Sequence, residues 1–165
     1  MQQSVGTRAW LRPACAEDEG VLFDVFSSTW EHAVATMPDP VIRRHVLRIQ
    51  HISQESRFAT RYPDLERYVV MADDEPIGRV YLQWGDDTLQ IVDLTLLPTH
   101  RNRGLGTGLT TELMEQAAAR GCRVGLRVDR AEPRLVRLYT RTGFRLVSAD
   151  HFDAHLEWDS GSTVD

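Results

Sequence analysis

Hydrophobic positions along the chain follow two spacings, and each spacing predicts a different kind of element. Short runs in which apolar residues alternate or follow one another predict β-strands. They cover residues 7–12, 68–71, 77–82, 89–97, 124–128, 144–147 and 154–158. Apolar residues three and four apart predict amphipathic helices. These cover 17 to about 30, a stretch after Pro40 that ends by Pro63 and carries Ile42, Val46, Ile49 and Ile52 on one side, 105–120, and 133–143.

The order of these elements, β-α-α-β-β-β-α-β-α-β-β, predicts a mixed sheet with helices on both faces. A single helix separates the strands at 89–97 and 124–128, so a right-handed crossover places them side by side and parallel. We therefore expect an α/β fold with a mostly antiparallel, twisted sheet of six or seven strands, one parallel pair and about four helices. We expect one domain over 1–165, with a core of about 7–158 and a polar tail at 159–165.

Composition and charge narrow the class of protein. The chain has 165 residues, of which 42% are hydrophobic and 26% charged, as in ordinary soluble domains. Its net charge of −5 argues against nucleic-acid binding and is compatible with a cationic substrate. No apolar run approaches the roughly 20 residues of a membrane span, and the N-terminus lacks the apolar region of a signal peptide. We expect a cytoplasmic protein that binds neither nucleic acid nor membrane.

Cysteine and histidine usage gives no indication of a metal site. Cys15 and Cys122 are too far apart in the chain for a metal knuckle or a disulfide framework, so we expect two buried free thiols. Of the six histidines, only His151 and His155 are four apart, and they fall on a predicted loop and strand rather than on a helix. We therefore expect no bound metal.

A glycine-rich turn follows the strand at 89–97, which ends at Pro98. Glycines lack a Cβ, so backbone amides can approach a ligand closely, and these amides open a helix whose first N–H groups have no partner within the helix. A helix N-terminus of this kind beside two arginines suits a phosphate or pyrophosphate. The residues involved are Arg101, Arg103, Gly104, Gly106 and Gly108.

Spacing separates the phosphate-binding motifs that use this physics. A P-loop needs Gly-Lys followed by Ser or Thr, which is absent, and a dinucleotide fingerprint needs G-x-G-x-x-G near a first strand. The segment that remains, Arg101-x-x-Gly104-x-Gly106, resembles the R/Q-x-x-G-x-G/A pyrophosphate loop of the GNAT N-acetyltransferase superfamily. The alternative is a strand-to-helix turn that binds nothing. Further along, 138–144 resembles the superfamily's L-Y-x-x-x-G-F segment, so the likeness is specific over 89–144.

The resemblance implies a GNAT-like fold and an acetyl-CoA co-substrate. It implies that the parallel pair lies at the cofactor site, and that backbone N–H groups of the strand before the loop bind the thioester. The implied cofactor-binding residues are Leu94, Thr95, Leu96, Arg101, Asn102, Arg103, Gly104, Leu105, Gly106, Thr107, Glu132 and Tyr139. Two positions depart from the family pattern, since many relatives have Asn and Ala where this chain has Glu132 and Leu135.

The resemblance also points to catalytic residues. Tyr139 is the candidate general acid for the departing thiolate, because a phenol near pKa 10 donates to a thiolate near 8.5; it is otherwise a core tyrosine. Asp93 is the candidate base near the acceptor, with Glu31 and Glu132 in reserve, and is otherwise a carboxylate that caps a bulge or pairs with an arginine. Trp30 and Glu31 are candidate substrate contacts, between the first two helices.

The function implied is N-acetyl transfer from acetyl-CoA to a primary amine of a small molecule or peptide, by direct attack in a ternary complex. No cysteine lies at a motif, so a covalent acyl-enzyme is not indicated. A catalytically silent acyl-CoA-binding sensor or interaction domain of the same fold is the alternative, and a nucleotide-binding domain is a third. A homodimer is the expectation that the superfamily carries.

Overall fold

A computed structural model describes residues 8–161 of the chain. The strands are β1 (Trp10–Pro13), β2 (Glu66–Ala72), β3 (Glu75–Trp84), β4 (Thr88–Leu96), β5 (Arg123–Asp129), β6 (Arg145–Ala149) and β7 (Asp153–Trp158). The α-helices are α1 (Glu19–Val34), α2 (Pro40–Arg61), α3 (Leu105–Ala119) and α4 (Pro133–Thr142). Two short 3-10 helices occupy Ala16–Asp18 and Pro98–His100.

The strands form one seven-stranded sheet in the order β1-β2-β3-β4-β5-β7-β6. Strand β4 runs parallel to β5 in the register Thr88↔Arg123 to Ile91↔Leu126, while β1–β2, β5–β7 and β6–β7 are antiparallel. Strands β4 and β5 come before and after α3 in the sequence and are neighbours in the sheet, as a crossover connection requires. The predicted α/β fold, with its mostly antiparallel sheet, single parallel pair and four helices, is confirmed.

Two local features position β3 against its neighbours. Asp73 and Asp74 have φ values of 48° and 62°, so both central residues of the β2–β3 turn are left-handed, as a tight hairpin requires. At Gly78 a Cβ would collide with the carbonyl oxygen of Thr95 and would lie 2.8 Å from Cδ2 of Leu96. Glycine at 78 therefore allows β3 to lie close against the end of β4.

The described chain divides into two compact units, each with its own buried residues. The first comprises the residues up to Tyr81 together with Asp93–Gly106. Its core is built from the apolar face of α1 and from runs of consecutive buried residues in β2 and β3, which are typical of strands covered on both faces. The core residues include Leu22, Phe23, Val25, Phe26, Val69, Val70, Ile77, Val80 and Tyr81.

The second unit comprises Leu82–Val92 together with the residues from Thr107 onward. Its core forms where one side of α3 and the alternating residues of β5 and β7 are buried. The residues are Leu109, Leu113, Met114, Ala117, Val124, Leu126, Val128, Phe144, Ala154 and Leu156. Helix α4 ends at Gly143, whose φ of 110° suits a residue without a Cβ.

Three local predictions differ from the structure, and a fourth falls outside the described residues. Helix α1 continues to Val34, so Trp30 and Glu31 lie in its last turns rather than between helices. Ile42, Ile49 and Ile52 of α2 share a side as predicted, but they face solvent, and Val46 is half-buried. Cys122 is buried as predicted, whereas Cys15 is exposed because it lies at the start of a surface 3-10 helix. The predicted Thr7 start of β1 lies outside the described residues.

Candidate functional site

The glycine loop lies in the first unit, directly after β4. The 3-10 helix Pro98–His100 ends the strand, and the chain then turns through Asn102 at φ 59° and Gly104 at φ 77° before α3 begins at Leu105. Two left-handed residues so close together reverse the chain sharply, and glycine and asparagine adopt this conformation at low cost. The sequence pattern thus produces the predicted strand, glycine turn and helix.

The side chain of Arg101 donates hydrogen bonds to the end of β4 and to α1. Its Nε donates to the carbonyl oxygen of Leu96 at 2.8 Å, and one terminal nitrogen donates to Oγ of Ser28 on α1 at 3.3 Å. The residue is nevertheless exposed, as are Asn102 and Arg103. Arg101 therefore braces the end of β4 and carries a positive charge at the surface of the loop.

The loop and the first turn of α3 have room for a ligand. An added Cβ would meet nothing within 4 Å at Gly104 or Gly108. At Gly106 it would meet only the side chains of Leu94 at 3.7 Å and Leu96 at 3.9 Å. A helix N-terminus with glycines and adjacent guanidinium groups attracts anions, so these residues could hold an anionic group such as a pyrophosphate.

Strand β4 carries the other residues predicted to bind the cofactor. Its parallel register with β5 ends at the pair Ile91↔Leu126. The backbone of Leu94, Thr95 and Leu96 lies beyond that register, and on the β3 side the N–H of Leu97 donates to Ile77 O at 2.8 Å. The backbone at the end of β4 therefore lies outside the parallel pairing with β5.

Asp93 is part of a buried ion pair. Its Oδ2 accepts from Nε of Arg79 at 2.5 Å, and its Oδ1 accepts from the hydroxyl of Thr95 at 2.9 Å. The Arg79 side chain is 2% exposed, and the Asp93 side chain 19%. Arg79 also donates to Oε1 of Gln54 at 2.6 Å, so the guanidinium joins β4 to α2 through β3. The sequence left two interpretations of Asp93, a base near the acceptor or a carboxylate that caps a bulge or pairs with an arginine. The structure shows the pairing with an arginine.

Glu55 joins the same cluster, and sequence reasoning missed it. Its Oε1 accepts from the hydroxyl of Tyr81 at 2.7 Å and lies 3.5 Å from Arg79, while its Oε2 lies 3.4 Å from Nε of Arg67. Nε2 of His51 lies 3.4 Å from Oε1. The partners of Glu55 come from the same helix and from two strands, so no local motif indicates the cluster.

The electrostatics of the cluster favour a fixed anion. Burial alone would raise the pKa of Glu55, but the adjacent His51 and Tyr81 side chains and the charges of Arg67 and Arg79 outweigh burial and lower it. Burial and the bond to Glu55 raise the pKa of Tyr81 despite the nearby charge of Arg79. The carboxylate therefore stays charged and the phenol stays protonated near neutral pH.

The predicted substrate residues also lie in the first unit. The Trp30 ring packs 5.8 Å from that of Phe26 and is partly exposed. Glu31, one residue on, is exposed. The Phe26 ring in turn lies 5.9 Å below the Arg79 guanidinium carbon, so an aromatic stack connects Trp30 to the buried arginine.

Three predicted residues lie in the second unit. Tyr139 on α4 is partly buried, and its ring packs edge-on to Phe144 at 5.5 Å and 71°. Glu132 is exposed at the N-terminal boundary of α4, where its side chain makes no capping hydrogen bond. Thr107 is exposed in the first turn of α3. The exposed carboxylate of Glu132 occupies the position where many relatives carry an amide.

The described residues contain neither a metal-binding cluster nor a membrane-spanning helix. No group of three or more His, Cys, Asp or Glu side chains within 8–161 has an arrangement that could hold a metal ion. In that same part of the chain, no helix combines the length and apolar character needed to cross a membrane.

Comparison with known proteins identifies the family. Residues 25–144, more than half of the chain, match the model of the Acetyltransferase (GNAT) family. The chain therefore belongs to the GNAT acetyltransferase family, and the resemblance drawn from the two motifs is confirmed. None of the curated proteins compared with the chain matches it.

Solved structures share the fold. The PaiA N-acetyltransferase of Thermoplasma acidophilum, solved with coenzyme A, has a TM-score of 0.68 at 20% identity and covers 92% of this chain and 98% of its own. An acetyltransferase of Thermus thermophilus has a TM-score of 0.65 at 20% identity, covering 92% and 97%. A GNAT acetyltransferase of Elizabethkingia anophelis, solved with acetyl-CoA, has a TM-score of 0.64 at 14% identity, covering 92% and 98%. Because these identities are low, the likeness shows the fold alone.

Proposed function

We propose that the chain transfers an acetyl group from acetyl-CoA to a primary amine of a small molecule or peptide, by direct attack in a ternary complex. The observation that carries the proposal is the open glycine loop between β4 and α3, with Arg101 braced on the end of the strand. In this proposal the protein is a cytoplasmic enzyme, which its free thiols support.

The loop residues Arg101 to Thr107 would bind the pyrophosphate, and the backbone of Leu94 to Leu96 would donate to the thioester carbonyl. The co-substrate supplies an acetyl group on a thiolate leaving group. Backbone dipoles fixed at a developing oxyanion are commonly the largest catalytic contribution, and removing one costs about 3 kcal/mol. Glu132 replaces an amide that supports the pantetheine arm in relatives, so the chain would bind that arm differently.

Asp93 is proposed to contact the attacking amine. A carboxylate accepts about four hydrogen bonds, so its two bonds to Arg79 and Thr95 leave capacity for an amine N–H. Glu55 supplies a further fixed negative charge in the same unit. Two carboxylates favour a cationic acceptor, with Trp30 and Glu31 as proposed contacts at its periphery.

Tyr139 is proposed to protonate the departing thiolate. Its position in the L-Y-x-x-x-G-F segment supports this role, and a positioned acid contributes roughly 100-fold or more to a rate. A catalytically silent acyl-CoA-binding domain is the second candidate. It is favoured by one observation, that both oxygens of Asp93 already accept bonds within the protein.

Thermal unfolding with saturating acetyl-CoA, ATP and NAD tests the cofactor. A ligand at 100 times its Kd adds about 2.7 kcal/mol, which is about 5 to 10 °C for a domain of this size. We expect acetyl-CoA alone to give that shift, and Arg101→Ala/Gly104→Asp to abolish it. Gly121→Asp is the matched control, because Gly121 also has positive φ and open space around its Cβ position.

Thiol release with a panel of primary amines then separates the two candidates. An enzyme consumes acetyl-CoA when the right amine is present, whereas a silent domain shows the thermal shift without thiol release. No thermal shift with acetyl-CoA, or an equal shift with ATP or NAD, would refute the cofactor assignment itself.

A further inference from the structure

Helix α2 turns large apolar side chains toward solvent. Val41 is 64% exposed, Ile42 55%, Ile49 63% and Ile52 60%. The opposite side packs on the first unit, where His51 is 4% exposed and contacts Phe23 and Phe26. Four exposed aliphatic residues on one helix are more than scattered surface residues explain, and contiguous apolar surface of this kind marks interaction sites.

Ile42, Ile49 and Ile52 follow the heptad spacing of a coiled-coil seam, and Val41 lies beside that seam. Steps of three and four residues along the solvent side of α2 pass only through exposed positions. A repeat of three and four keeps one narrow stripe facing a partner helix. This α2 seam consists of Ile42, His45, Ile49, Ile52, Ser56 and Ala59.

Four arginines of α2 contact residues that lie outside the seam. The helix has five arginines and one glutamate. Arg43 donates to the carbonyl oxygen of Met37 at 2.5 Å, and Arg44 and Arg48 lie over the Phe23 ring at 5.3 and 3.9 Å. Arg61 lies over the ring of Tyr62. The seam contains no acidic, lysine or arginine residue, so a second copy can approach it without placing like charges in its centre.

We propose that two copies of the chain associate through the α2 seam in an antiparallel, two-fold arrangement. The pattern of residues complements itself when the helices run in opposite directions about a point between Gln50 and His51. Ile49 then faces Ile52 of the partner subunit at the centre. On either side, His45 faces the partner's Ser56, and Ile42 faces the partner's Ala59.

Each of these layers is chemically matched. The central isoleucines form an apolar layer, the imidazole and hydroxyl can hydrogen bond, and a large side chain faces a small one at each end. A parallel pairing would instead place His45 on the partner's His45 and leave a gap at Ala59. An isologous interface requires this kind of self-complementarity, and antiparallel α2 helices provide it over 42–59, about 26 Å of helix.

The first test is the size of the full chain in solution, measured by sedimentation velocity over a range of concentrations. We expect a dimer, and we expect Ile49→Glu to raise the dimer dissociation constant by about 30-fold or more, as for a central interface residue. Leu146→Glu is the control, because Leu146 is 57% exposed on β6 and the change is equivalent. Circular dichroism should show both variants folded.

The second test fixes the register by disulfide formation, in a Cys15→Ser background. Ile42→Cys/Ala59→Cys should crosslink into covalent dimers under mild oxidation. Each single variant should stay uncrosslinked, because its cysteine lies about 26 Å along the helix axis from the same cysteine of the partner subunit. Crosslinking of the single variants would indicate a parallel pairing and overturn the register.

Other outcomes overturn the proposal as a whole. A monomer at all concentrations excludes a second copy as the occupant, and a dimer that survives Ile49→Glu unchanged uses another surface. Vesicles with anionic headgroups serve as a further probe. Binding of a monomeric chain to them, lost in Ile49→Glu but kept in Leu146→Glu, would assign the seam to a lipid surface instead.

Discussion

Replacing Asp93 with asparagine should destabilise the protein strongly, because it leaves the buried charge of Arg79 without its closest partner. The two side chains are 19% and 2% exposed and lie 2.5 Å apart. Removing one member of a buried ion pair costs about 3 to 5 kcal/mol. Gln54 and the more distant Glu55 still contact Arg79, so we expect the lower end, about 3 kcal/mol. For a domain of this size that is about 6 to 12 °C in melting temperature.

Urea unfolding of Asp93→Asn, Arg79→Gln and the double variant measures the interaction directly. If the pair is held together, the double variant should lose about 2 kcal/mol less than the two single losses combined. Asp87→Asn is the matched control, since Asp87 pairs with Arg123 at 2.9 Å but is 74% exposed, and its loss should change stability little. Additive single losses, or equal effects at Asp93 and Asp87, would refute the buried ion pair as a stabilising contact.

The same variants separate a proton acceptor from a residue that is only held in place. If Asp93 takes the amine proton, Asp93→Asn should lower kcat about 100-fold at a temperature where the variant is still folded. Arg79→Gln should lower kcat less, because the carboxylate is still present. Equal kcat values in the wild type and Asp93→Asn would assign proton removal to water or to another group.

Three further predictions concern other parts of the chain. Tyr139→Phe should lower kcat about 100-fold while leaving the acetyl-CoA thermal shift unchanged, if the phenol donates a proton; an unchanged kcat would contradict that role. Gly78→Ala should cost about 2 to 3 kcal/mol in urea unfolding, because its Cβ collides with the backbone of β4 at Thr95, whereas Gly20→Ala, where a Cβ has open space, should not destabilise. The Arg12 fork, with hydrogen bonds from Cys15, lowers the pKa of Asp18 below its ordinary 3.8. The stability from this group is therefore complete above pH 3.8 and lost as the pH falls toward the lowered value. Asp18→Asn should reduce the melting temperature at pH 7 and the difference should shrink in acid; a difference independent of pH would contradict it.

The order and type of the elements could be predicted from the sequence because their signals are local. The glycines and Pro98 mark the loop after β4, and Gly143 marks the end of α4. The parallel pairing of β4 with β5 followed from connection rules, since a strand, a helix and a strand in one sheet have essentially one handedness. The glycine loop was predictable for the same reason, because its chemistry resides in contiguous residues.

Contacts between distant residues could not be predicted. Arg79 meets Gln54 and Glu55 across 25 and 24 residues of chain and meets Asp93 across 14, so no motif connects them. The orientation of α2 was ambiguous for a different reason. Helical periodicity groups Ile42 and Ile49 on one side, but it does not say which side faces the core, and the buried position proved to be His51.

Helix α2 contacts Arg79 on one side and carries the α2 seam on the other. Gln54 and Glu55 bind Arg79 from the side that packs on its own unit, and the seam lies on the solvent side of the same 22 residues. A rigid helix cannot shift at one side without moving the other. If the chain dimerises through the seam, the orientation of Arg79 and Asp93 depends on whether the partner subunit is bound. The specific activity should then change when the protein is diluted into monomers.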